Sequence, residues 1–118
     1  MNEPNTINRG SVIIIPKQPF YDWANNVFPE DNFVMSAETM KEYKSYLLDE
    51  YILEEEKEKK MLEDYWEFIF KDQLFGACMD EMKWPDSVSW KLFTEWFDFY
   101  FSSMVIDLED GSIEREEY

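Results

Sequence analysis

Histidine is absent from this 118-residue chain, cysteine occurs once, glycine three times, and eleven Lys and Arg stand against twenty-seven Asp and Glu. Each scarcity removes a class of chemistry. Without histidine there is no side chain that titrates near neutrality in its ordinary state, so general acid–base catalysis is poorly served. A lone Cys78 excludes an internal disulfide and any cysteine-based metal cluster, and reads as a small apolar residue of the interior. Three glycines form no phosphate-cradling loop, and no Ser has a recognisable base beside it. The shortage of cations gives a formal charge of −16 and a pI near 4.1, which repels DNA, RNA and anionic lipid and attracts cationic surfaces. The longest aliphatic run, Val12 to Ile15, is far short of the roughly 20 residues that span a bilayer, and the N-terminus lacks a basic stretch followed by an apolar one. The chain therefore reads as soluble and cytoplasmic. No cofactor, metal or catalytic residue is expected.

What is present is aromatic: ten Phe, seven Tyr and five Trp. At roughly 150–250 Å² buried per ring they supply a core, so the acidity does not imply disorder. The length suits one domain with a radius of gyration of about 13 Å. We expect a flexible leader over 1–10, a globular domain over 11–109 and an acidic tail over 110–118.

Ser11 to Ile15 is a β-branched run stopped by Pro16, the signature of a buried strand. Pro19 suits the first turn of a short helix carrying Phe20, Trp23 and Val27 on one side and ending at Pro29. Ser36 is a cap for a second short helix through Tyr43, and in Ser45 to Leu53 strand and helix compete, with a strand favoured around 46–48. From Glu54 the rows Met61, Tyr65, Ile69 and Leu62, Trp66, Phe70 mark a long helix that Gly76 stops. Trp84-Pro85 lies in a connection, and Asp86, Ser87 or Ser89 caps another helix with Trp90, Phe93, Phe97 and Phe101 in one row. After Ser103 the period becomes two, with Met104, Ile106 and Leu108 alternating with Val105, Asp107 and Glu109, as in a terminal strand with one wet face. Asp110-Gly111 is a turn signal. The fold class is thus α+β: a small, mainly antiparallel sheet of about three strands near 11–15, 45–52 and 103–109, covered on one face by two long aromatic-rich helices.

The run Glu54 to Lys60 reads as a solvated helix start whose acids precede its bases and offer i,i+4 pairs, or else as a protein-docking surface. Asp107, Glu109, Asp110 and Glu114 around Gly111 fail the spacing of a calcium loop, because Gly111 is fifth from Asp107 where a sixth position is required. The most specific local string is Pro16-Lys17-Gln18-Pro19-Phe20-Tyr21-Asp22-Trp23. Two prolines fix a strand-to-helix corner there, and Lys17, Gln18, Asp22 and Asn25 either display a polar patch that binds a partner or small anion, or only build the corner.

That corner, Trp84-Pro85, and the stretch from Phe93-Thr94-Glu95-Trp96-Phe97 through Phe101 to Leu108 resemble a group of small acidic bacterial proteins with no known activity. The likeness covers most of 11–108; the group commonly has a histidine where Ser102 stands here. It implies a bacterial cytoplasmic protein and carries over no catalytic residue. The expected function is noncatalytic binding or regulation in which the acidic surface meets a basic protein, and an immunity protein that neutralises a basic toxin would have this charge and size. The alternatives are an acidic nucleic-acid mimic, which needs carboxylates spaced like phosphates, and a carboxylate-based enzyme or metal-binding protein.

Overall fold

The structure is a computed structural model describing residues 4–30, 33–54 and 56–118. Its elements are β1 (Asn5–Ile7), β2 (Arg9–Pro16), α1 (Gln18–Val27), β3 (Lys44–Asp49), α2 (Lys57–Ala77), a 3-10 turn (Glu81–Lys83), α3 (Trp90–Trp96), β4 (Phe97–Ser102) and β5 (Val105–Asp107). The architecture is α+β. A three-stranded antiparallel sheet has the order β3-β2-β4, and β1 pairs with β5 in a separate two-stranded ribbon.

The branched run takes the middle of the sheet because it can be buried between two partners. Val12 and Ile14 are fully buried, with Tyr46 opposite Val12 on β3, and Phe101 and Phe99 opposite Val12 and Ile14 on β4. This face carries the helices. Phe70 of α2 and Phe20 of α1 bring their rings to 5.5 and 5.3 Å from Phe97, and Phe93 of α3 lies 5.3 Å from both Phe97 and Phe99. On the other face Ile13, Leu47 and Tyr100 remain exposed.

The third strand is not where the sequence places it. The row Phe93, Phe97, Phe101 fits a helix at i+4, but Phe97, Phe99 and Phe101 also fit a strand at i+2, with Asp98, Tyr100 and Ser102 outward. The strand prevails because β2 has a second edge whose backbone groups need a partner, and residues 97–102 supply it from Pro16↔Phe97 to Ser11↔Ser102. The helix is correspondingly cut to seven residues, capped by Ser89 Oγ, which accepts from Leu92 N at 3.2 Å. α2 is the one long helix among the described residues.

The segment around 103–109 is then displaced to β5. Its phase is inherited from β4, so Val105 and Asp107 are half-buried while Met104, Ile106 and Leu108 point outward, the reverse of what their hydrophobicity suggests. Part of the expected leader is its partner: Asn5, Thr6 and Ile7 pair with Asp107, Ile106 and Val105. Residues 1–3 of that leader lie outside the described residues. Because β1 leads into β2 and β4 into β5, this ribbon follows on from the β2–β4 ladder across a bulge-like break, with residues 8–10 on one side and 103–104 on the other. Ser102 Oγ stabilises the turn there, donating to Met104 O at 2.9 Å. With this ribbon and the tail largely exposed, the radius of gyration is 16.5 Å, above the value for a compact chain of this length.

The helix expected from Ser36 through Tyr43 is a single turn. Thr39 N and Met40 N both donate to Ser36 O, but the chain must already be extended at Lys44 to join the sheet. No helix among the described residues is long and apolar enough to cross a membrane.

Candidate functional site

Lys17, Gln18, Asp22 and Asn25 are each engaged with the fold. Lys17 Nζ donates to Thr94 O at 3.1 Å and lies 3.8 Å from Asp98 Oδ1, tying the corner to α3 and β4. Gln18 donates to Asp22 Oδ1 and accepts from Ala37 N, both at 2.9 Å. Asn25 reads the peptide of Met35 in both directions, donating to its carbonyl at 2.8 Å and accepting from its N–H at 2.9 Å. Gln18 and Asp22 are thus brought together, Lys17 is turned toward β4, and Asn25 clamps the segment that leads toward β3. The arrangement accounts for these residue types as builders of the corner.

A denser polar cluster joins β3, α2 and the tail. Asp72, whose side chain is only 8 % exposed, accepts from Tyr46 Oη and Tyr118 Oη at 2.5 Å and from Lys44 Nζ at 3.0 Å. Lys44 Nζ also reaches Tyr118 Oη at 2.6 Å, and Gln73 donates to Tyr46 Oη at 3.1 Å. Burial acts to raise the Asp72 carboxyl, but the bonds from Tyr118, Tyr46 and Lys44 outweigh it and the net shift is downward. Burial, followed by the bond to Asp72, pushes the Tyr46 phenol up and keeps it protonated. The sequence carries no sign of this cluster because Tyr46, Lys44 and Tyr118 lie 26, 28 and 46 residues from Asp72 along the chain.

The sign of the pH effect follows. A carboxyl held below its ordinary value when folded contributes stability that is present above that value and is lost as pH falls through the folded one. Acid unfolding should therefore include a component below pH 3.8, the ordinary value for Asp72, and Asp72→Asn should remove it while lowering stability at neutral pH by about 1–3 kcal/mol. Melting curves of both proteins across the acid range decide it; identical pH dependence would show that the cluster is energetically silent.

Two grooves flank the first half of α2. One, of about 820 Å³ between α2 and β3, has an apolar floor of Leu48, Ile52, Met61 and Ile69 with exposed Leu47, Tyr65 and Phe68, and mixed charges at Arg9, Lys57, Lys60, Asp49 and Asp64. The other, of about 760 Å³, is lined by Leu62, Trp66 and Trp90 with Glu56, Glu58, Glu63 and Lys59. The helix-start charges are therefore sorted rather than paired. Lys57 and Lys60 line the first groove, and Glu56 and Glu58 with Lys59 line the second. The i,i+4 pairs expected within 54–60 do not close among the described residues, where Glu67–Lys71 at 3.0 Å is the one such bridge; Glu55 lies outside the described residues. Around Gly111, which has a φ of 103° in keeping with a turn, the acids remain dispersed, and no group of three acids or cysteines among the described residues could hold a metal ion.

In comparisons with known proteins, no family model, no curated protein and no solved structure matches the chain.

Proposed function

We propose that this protein is a noncatalytic binding or regulatory protein whose acidic surface recognises a basic protein partner. The observation that carries this reading is the distribution of its carboxylates. Only three ion pairs occur among the described residues, and no charged residue there is buried, Asp72 coming nearest with a side chain 8 % exposed, so the acidic excess of the described residues is displayed at the surface. Such a field speeds encounter with a cationic partner and disfavours nucleic acid and anionic membranes. A cytoplasmic, bacterial role beside other small acidic proteins, including neutralisation of a basic toxin, belongs to the same reading.

The test is affinity capture from the native host at low salt, elution at high salt and rebinding of the purified partner. Capture of a basic protein that is released by salt is expected. A partner displaced competitively by duplex DNA would favour nucleic-acid mimicry instead, and turnover of a small substrate by the purified protein would overturn the noncatalytic reading.

The same surface charge has a consequence for stability. Like charges repel most in the compact state, and a Debye length of about 10 Å at 0.1 M salt screens them. The melting temperature should rise with sodium chloride; a steady fall would show that pairs such as Lys44–Asp72 and Glu67–Lys71 outweigh the net repulsion.

A further inference from the structure

We propose that the groove between Trp66 of α2 and Trp90 at the start of α3 receives the side chain of an arginine or lysine from a partner protein, an inference that rests on the reading above and locates its anchor. The two indoles meet edge-to-face, centroids 6.1 Å apart at 77°. Both are held from behind by Phe93, which is fully buried and lies 6.1 Å from Trp66 and 6.0 Å from Trp90. They are therefore positioned before any ligand arrives. Trp90 is nevertheless 43 % exposed, whereas the other four tryptophans are half-buried. Indole presents the most favourable aromatic face to a cation.

The charge around the rings matches. Glu56, Glu58 and Glu63 line this groove against the single Lys59, whereas the neighbouring α2–β3 groove carries Arg9, Lys57 and Lys60 against Asp49 and Asp64. Aromatic walls with a net negative rim suit a group that is both flat or alkyl and positive, which describes a guanidinium or a lysine stem with its ammonium. The glutamates do not converge as a metal-holding group among the described residues, and an anionic or neutral ligand would leave them unanswered. At about 760 Å³ the open groove accommodates a side chain together with adjoining peptide.

The test uses a capped peptide of alternating arginine and glycine, titrated at low salt while the indole N–H resonances are followed by NMR. Binding that shifts the Trp66 and Trp90 signals is expected. The double variant Glu58→Gln/Glu63→Gln should weaken it about tenfold, the scale of a desolvated cation–aromatic site with its counter-charge. The double variant Glu116→Gln/Glu117→Gln changes net charge equally and should have far less effect. Trp90→Leu, at a half-exposed position, should abolish the localised shift. If the two charge variants lose affinity equally and the indole signals stay still, the peptide is held by diffuse attraction: the groove is overturned while the acidic-surface reading stands. If the unaltered protein does not bind the peptide at all, both fall together.

Discussion

Truncating Phe97 to Ala should destabilise the protein by about 3–5 kcal/mol, enough to unfold a domain of ordinary marginal stability. Phe97 is 1 % exposed and its ring lies within 5.5 Å of Phe20, Phe70 and Phe93, one from each of α1, α2 and α3. It is the point at which three helices meet the sheet, so the cavity cannot be closed by moving any one of them. Phe75, which is 51 % exposed on α2, supplies the comparison: Phe75→Ala should leave the melting temperature nearly unchanged. Equal melting temperatures for unaltered protein and Phe97→Ala would mean that these rings do not form the core.

The parts of this fold legible in the sequence were those with one dominant period. α2 declared itself through Met61, Ile69 and Phe70, and β2 through its branched run, because neither pattern has a competing reading of similar quality. The segment 93–101 was ambiguous for a physical reason. Phenylalanines at 93, 97, 99 and 101 satisfy both i+4 and i+2, and the choice rests on the unpartnered edge of β2, some eighty residues away. The same mechanism hid β1, whose three residues have no pattern and are ordered by pairing with β5. In the corner, Gln18 and Asn25 could be recognised as polar residues on a rigid turn, but their partners, the peptide groups of Ala37 and Met35, carry no side-chain signal. The Trp66–Trp90 groove was visible only as two members of core rows, since what distinguishes it is where the rows stop being covered.

Gly10→Val should be at least as disruptive as the loss of a core ring, for the opposite reason. A Cβ at Gly10 would stand 2.8 Å from Ile52 Cγ2, 2.9 Å from Ser102 O and 3.0 Å from Asp49 O. The conformation is ordinary; the space is not. Ile52 is itself 2 % exposed and has nowhere to swing, and the two carbonyls belong to the strands on either side of β2, so they can retreat only by opening both ladders beside the bulge. Even Gly10→Ala is expected to cost about 1–3 kcal/mol, as overpacking does in a closed interior, and valine adds a second branch to the same collision. Gly76 gives the opposite sign. It lies within α2 with nothing within 4 Å of its added Cβ, so Gly76→Ala should stabilise by about 0.5–1 kcal/mol through reduced backbone entropy of the unfolded chain. Chemical denaturation of the three variants measures all of these, and a Gly10→Ala protein as stable as the unaltered one would place β2 farther from Ile52 and its flanking strands than the register described here allows.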